Sequence, residues 1–256
     1  MIKNVLRSAA ATVALAAFLI VPVTLPGTAA RADSGGKPLT VVELYTSLAC
    51  SICPAADDIL ASMADRDDVL ALSFHVDYWD YTGWADPYAD AAFTQRQARY
   101  LARLNIPYFI TPQVVVDGVY EQAGSNGQVI DELIAKAAAM RTRNFKIALT
   151  RTGEREVQVG LPAMVYDGQA EVILIRFDAV RQTQVSGGDN NGRQLTNVNV
   201  VRQIMVHSVW KGEPMILDVP LENLGGDDLQ YYAVIVQEPD QGPILGASYI
   251  DLRGGV

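Results

Sequence analysis

Cysteine and histidine are scarce in this chain. Its 256 residues carry two of each, Cys50 and Cys53, His75 and His207. Two cysteines three positions apart close too small a ring to staple a fold, because a disulfide stabilises mainly by constraining a long loop of the unfolded chain. Basic charge is also short, with 20 Lys and Arg against 29 Asp and Glu and a formal net charge of −9. No basic stripe runs along any segment, so phosphate backbones are repelled and nucleic acid is excluded as a partner. Past residue 23 no apolar run is long enough to cross a bilayer. Internal repeats are absent, and no nucleophile-elbow motif offers Ser–His–Asp catalysis. The segment 187–192 is rich in glycine, yet it has neither the strand–loop–helix setting nor the Lys-Ser/Thr of a phosphate loop, and it reads as a mobile turn.

The N-terminus is the first positive signal. Lys3 and Arg7 precede an apolar run over residues 9–23, and Ala30-Arg31-Ala32 has the form of a signal-peptidase site. Pro22 and Pro26 break the run, which argues against a membrane anchor. Residues 1–32 are therefore expected to be a signal peptide. Its removal takes away three basic residues and no acidic one, leaving 224 residues at a net charge of −12. The protein is expected in the periplasm or outside the cell, meeting a membrane only during export, in a compartment that permits disulfides.

Residues 39–44 and 69–76 are apolar on both faces and read as buried strands. Between them, Ala56, Ile59, Leu60 and Met63 form one helical stripe. Pro54 stands in its first turn, and Asp57 and Asp58 suit its positive end. Residues 77–90 are polar, aromatic and irregular. Phe93, Tyr100, Leu101 and Leu104 keep helical spacing, and residues 114–116 and 119–122 flank Asp117-Gly118 as a hairpin with a two-residue turn. Ser125 and Gln128 form a capping box for a last helix. The order strand, helix, strand, helix, strand, strand, helix reads as α/β. Beyond residue 144 the pattern changes to β-like runs over 145–150, 156–161, 170–177, 198–209, 214–219, 231–238 and 244–250. Turn signals separate them, and a small antiparallel β-sandwich is expected.

Cys50-Ser51-Ile52-Cys53 carries the chemistry. With Cys50 at the mouth of a helix, backbone N–H groups favour thiolate over thiol. A thiol of pKa near 8.5 is about 3% ionised at pH 7, and lowering its pKa to about 7 makes the nucleophile roughly fifteen times more abundant. Cys53, one turn on, can then attack the mixed disulfide and release the partner.

Residues 39–140 resemble a thioredoxin-fold domain. Val41-Val42-Glu43-Leu44-Tyr45-Thr46 leads into the cysteine motif, and Thr111-Pro112 precedes a strand, Asp117-Gly118, Gly124 and a terminal helix. The resemblance implies an α/β thioredoxin-like domain over residues 38–142, followed by the β-sandwich domain over 144–256. It implies a cis Pro112 against the cysteines and a Thr111 whose backbone bonds a substrate strand. It also implies Glu43, seven residues before Cys50, as a buried proton acceptor for Cys53; a solvated strand-end charge is the other reading. Ala-Cys-Ser-Ile-Cys-Pro departs from the Trp-Cys-Gly-Pro-Cys of thioredoxins, so the direction of electron flow does not carry over. The whole chain also resembles an uncharacterised secreted bacterial family that joins such a domain to a β-rich tail.

The reading that follows is an exported thiol–disulfide oxidoreductase without a cofactor or metal. It acts on protein or peptide thiols and disulfides and is recycled by a redox partner protein. Cys50 is its nucleophile, Cys53 its resolving thiol, and Pro112 shapes the groove. Trp79 belongs to an aromatic stretch (Tyr78, Trp79, Tyr81, Trp84, Tyr88) that either lines a peptide groove or covers the core. His75 is a proton shuttle, a third ligand for copper(I), or a hydrogen-bonded strand-end histidine, while His207 is structural. Two other classes stay open: an exported copper(I)-binding chaperone, and a binding module whose cysteines are permanently oxidised.

Overall fold

The computed structural model describes residues 38–141, 145–221 and 230–253, so the expected signal peptide lies outside the described residues. Strands β1 (Thr40–Thr46) and β2 (Val69–His75) are parallel and buried along their whole length, as uninterrupted apolar runs require. Helix α1 (Cys53–Met63) joins them. It lays Ala56, Leu60 and Met63 against Val42 and Leu44 on one face of the sheet. Helix α2 (Ala91–Arg103) starts at Asp90, whose carboxylate accepts from the Ala92 N–H at 2.8 Å. Its Phe93 and Tyr100 pack with Val41, Tyr45 and Phe74, which the period-2 alternation of a strand puts on the other face. Between β2 and α2 the chain is irregular apart from one short 3₁₀ turn at Asp80–Thr82.

Strands β3 (Gln113–Val116) and β4 (Tyr120–Ala123) form the expected hairpin. Asp117 and Gly118 supply its positive φ angles, 47° and 70°. The pairing of Val116 with Tyr120 leaves three residues in the connection instead of two. Helix α3 (Gly127–Met140) is capped by Asn126, which accepts from the Val129 N–H at 3.2 Å, so the Ser125–Gln128 box is not what starts it. No helix among the described residues is long and apolar enough to cross a membrane.

All seven β-like runs of the second half are strands: β5 (Ala148–Gly153), β6 (Glu156–Leu161), β7 (Ala170–Gln184), β8 (Gln194–Trp210), β9 (Met215–Pro220), β10 (Tyr231–Gln237) and β11 (Ile244–Asp251). Their assembly overturns the expected fold class, a thioredoxin-like α/β domain followed by a separate β-sandwich. The fold is mostly β and is built on one mixed eight-stranded sheet of order β11-β10-β7-β8-β2-β1-β3-β4. Strand β8 lies parallel to β2, with Ser73 opposite Val200, and this pairing closes the edge that β1 leaves open. One core then serves both halves, bringing Phe74, Phe93 and Tyr100 together with Ile173, Ile175, Ala233 and Ile235. The remaining strands form a three-stranded sheet, β5-β6-β9, over the opposite face of β7 and β10. Alternation alone predicts strands but not which edge each one finds, and that is why the sandwich expectation failed.

A buried ion pair of the first half is bonded to the second half through Gln237. Arg96 of α2 grips Glu43 of β1 with two N–H groups at 2.6 and 2.8 Å, and Tyr100 and Tyr45 donate to the same carboxylate at 2.7 and 3.0 Å. Burial opposes the charge on Arg96, but the carboxylate holds it protonated. Gln237, at the end of β10, accepts from Arg96 at 2.9 Å and donates to Tyr100 at 2.9 Å. Removing one partner of such a pair leaves an uncompensated buried charge. Glu43→Ala is therefore expected to lower stability by about 3–5 kcal/mol, read as a fall in the urea midpoint with unchanged slope. A loss within the range of ordinary surface substitutions would refute the buried pairing.

Candidate functional site

Strand β1 ends at Thr46, and residues 47–52 turn the chain into α1. The Cys50 N–H donates to the Ser47 carbonyl at 3.2 Å, and the Cys53 N–H donates to the Cys50 carbonyl at 3.3 Å. The helix starts at Cys53 with Ile52 as its cap, so Cys50 stands in the turn that leads into the helix and Cys53 is its first residue. The two cysteines form a disulfide, with Cα atoms 5.4 Å apart. Cys50 is only 1% exposed and Cys53 is fully buried, whereas Ile52 between them is 63% exposed.

The Thr111–Pro112 peptide is cis. The Thr111 carbonyl oxygen lies 3.9 Å from Cys50 Sγ, a contact without a hydrogen bond because a disulfide sulfur carries no hydrogen. The Trp79 indole N–H donates to the Thr111 hydroxyl at 2.8 Å, and Trp79 stacks on the exposed Tyr81. Tyr108 and Phe109, just ahead of Thr111, are exposed as well. Opposite, Gly124 has no room for a side chain, since a Cβ there would fall 2.9 Å from Pro112 Cβ and 3.0 Å from Ala56 Cβ. Cys50, Cys53, Thr111, Pro112 and Trp79 are thus brought together.

Glu43 is not among them. Its side chain points to the face of the sheet that carries α2, where Arg96 neutralises it, while Cys53 belongs to α1 on the other face. The expected proton acceptor is misplaced because a one-residue shift along a strand reverses the face. A different acid stands near Cys53. Asp57 follows it by four residues, one turn along the same buried face of α1. Burial pushes the Asp57 carboxyl up from an ordinary 3.8 to about 6, against the pull of His75. Asp57 and Asp58 start too late to serve the helix dipole, for the first turn holds no acid. The four-residue spacing from Cys53 is the sequence signal for this placement.

His75 closes this cluster from behind. Its Nδ1 lies 2.8 Å from Asp86 Oδ2, and both residues are buried. Burial opposes ionisation of Asp86, but His75 and the N–H groups of Leu48 and Tyr88 hold its pKa below the ordinary carboxylate value. The hydrogen therefore sits on His75 Nδ1. On the Asp57 side, His75 Nε2, Asp57 Oδ1, the Thr46 and Ser73 hydroxyls and both amide atoms of Asn197 are buried without hydrogen-bond partners. Buried polar groups are normally paired, so such a concentration of open ones singles out a place. Among the described residues no three His, Cys, Asp or Glu side chains are grouped so as to hold a metal ion. His207 is exposed on β8. The expected mobile turn at residues 187–192 is bonded to the cysteine turn by the Asp189 backbone and the Asn190 side chain, neither of which the sequence marked.

The sequence pattern of a family described as a protein of unknown function, DUF1223, matches residues 41–237. The chain belongs to that family. The DUF1223 region runs from β1 to the end of β10, so it contains the cysteine pair, the Asp57–His75–Asp86 cluster, Thr111-Pro112 and the hairpin between β7 and β8. A crystal structure of a protein from Agrobacterium tumefaciens, solved by a structural genomics consortium, is similar over most of its length. It is 29% identical with a TM-score of 0.74, over 85% of this chain and 96% of that one. A comparison with curated proteins found no match.

The raised carboxyl of Asp57 has a measurable consequence. The native state holds a proton that the unfolded chain releases, so this stability is fully present below the ordinary carboxylate pKa and is lost as pH rises through about 6. Asp57→Asn removes the titration. Its stability relative to the parent, from urea unfolding, is expected to rise by about 2 kcal/mol between about pH 4 and pH 7. A constant difference across that range would show that Asp57 is not held in an unfavourable ionised state.

Proposed function

We propose that this protein exchanges disulfides with protein or peptide partners in an exported compartment, with Cys50 as nucleophile and Cys53 as resolving thiol. One observation carries the reading. The disulfide lies beside the Thr111 carbonyl and one helical turn from a buried carboxyl oxygen that has no partner. Exposed Ile52, Tyr81, Tyr108 and Phe109 around it offer apolar contact to a polypeptide.

The chemistry follows from the placement. In the reduced protein the Cys50 thiolate attacks one sulfur of a partner disulfide. A Cys50–partner bond forms, and the second partner sulfur leaves as a thiolate. Cys53 then passes its proton to Asp57 and attacks Cys50, the internal disulfide closes, and the first partner sulfur leaves and takes a proton. The net change is one partner disulfide reduced to two thiols and one protein dithiol oxidised, and the sequence runs equally in reverse. With a pKa of about 6, Asp57 is mostly ionised at neutral pH and close enough to it to return the proton readily. Cys50 is covered in the disulfide form, so reaction from that side begins with local opening of the turn.

Insulin reduction driven by a small dithiol tests the reading. Cys50→Ser is expected to reduce the rate to background, and Cys53→Ser to accumulate mixed disulfides visible on non-reducing gels. Parental activity in Cys50→Ser overturns it. A parental pair that no thiol buffer reduces does so too, and points to a redox-inert binding module.

A further inference from the structure

The hairpin of β7 and β8 ends in a tip, residues 185–193, that is bonded both to itself and to the cysteine turn. Within the tip, Val185 N–H meets the Arg193 carbonyl and Gly192 N–H meets the Val185 carbonyl, each at 2.9 Å. Towards the turn, three consecutive carbonyls accept from it. The Asn190 amide donates to Leu48 at 3.0 Å and to Cys50 at 2.7 Å, and the Asp189 N–H donates to Ala49 at 2.9 Å. Arg193 donates to Asn190 Oδ1 at 2.6 Å, which fixes the amide orientation. Gly188 makes the approach possible. Its φ is +64°, and a Cβ there would fall 2.6 Å from Ala49 Cβ. Leu48, Val185 and Leu195 pack beneath the contact, and at its outer edge the Ser51 hydroxyl donates to Asp189 Oδ2 at 3.1 Å.

Reduction of the pair takes two electrons and two protons and breaks the S–S bond, after which the sulfurs must separate to non-bonded contact. Helix α1 holds Cys53, and Asn190 holds the main chain of Cys50, so that separation is resisted. The Asp189 carboxylate, bonded to the residue next to Cys50, adds a like charge that disfavours a Cys50 thiolate. Both effects act against the reduced form.

We propose that this hairpin tip sets the reduction potential of the Cys50–Cys53 pair. Asn190 and Asp189 act as positioning residues that favour the disulfide and so make the protein a reductant of partner disulfides. The inference rests on the redox reading above, but the potential can be measured whether or not the protein turns over a substrate. The mature full chain is equilibrated with glutathione, two of which are oxidised for each protein disulfide reduced. Asp189→Asn keeps an acceptor for Ser51 and removes the charge. It is expected to raise the equilibrium constant for reduction about threefold at low salt, an effect that fades in about 0.5 M salt. The pH profile of Cys50 alkylation should move to lower pH in the same variant. Asn190→Ala is expected to raise the constant about tenfold, which is about 30 mV for a two-electron couple. If that variant does not fold, Asp189→Asn decides alone. Wild-type constants in the variants that fold, with an unmoved alkylation profile, overturn the inference and leave the tip a structural strut. Shifted constants in a protein that never reduces insulin would remove the exchange reading and leave this one standing.

Discussion

The structure depends on one long hairpin finding one open strand edge. Strand β1 takes β3 on one side and β2 on the other, which leaves the outer edge of β2 unpaired until β8 lies along it. From that contact the sheet continues through β7, β10 and β11, the two halves share a core, and the hairpin tip is carried to the cysteine turn. A sheet edge of fully buried apolar residues is not stable in water, so covering it supplies a strong drive for this assembly.

Two buried polar networks lie on opposite faces of β1, and they differ in kind. Around Glu43 and Arg96 both carboxylate oxygens are bonded and four hydrogen bonds converge on them. A closed network of that sort holds a packing arrangement and has no proton to exchange. Around Asp57 the arrangement is open, with the Asp86–His75 pair satisfied on its outer side and a set of unpartnered groups on its inner side. Low dielectric makes unpartnered groups costly, and such a cost is commonly met where function requires it. The open network is the one beneath the cysteines.

The site also depends on the second half of the chain in a way no local pattern announces. The carbonyls of Leu48, Ala49 and Cys50 receive their donors from residues about 140 positions later. Asn197 of β8 is one of the unpartnered groups of the open network around Asp57. The cysteine motif is short, but its electrostatic and mechanical surroundings come from both halves.

By itself the sequence determined most of the elements and the chemistry of the pair. Apolar runs made β1 and β2, one stripe made α1, turn dipeptides separated the seven later strands, and the Cys-x-x-Cys spacing allowed a disulfide between residues that must be close. These are local facts, set by neighbours within a few positions. Tertiary structure alone decided that the later strands extend the first sheet, that Glu43 faces Arg96 and not Cys53, that Asp57 is buried, and that a glycine-rich turn grips Cys50. Those outcomes depend on which strand edge pairs with which and on which side of the sheet each residue falls. Hydrophobic burial drives such choices without encoding the partner in any one segment, so only the assembled chain settles them.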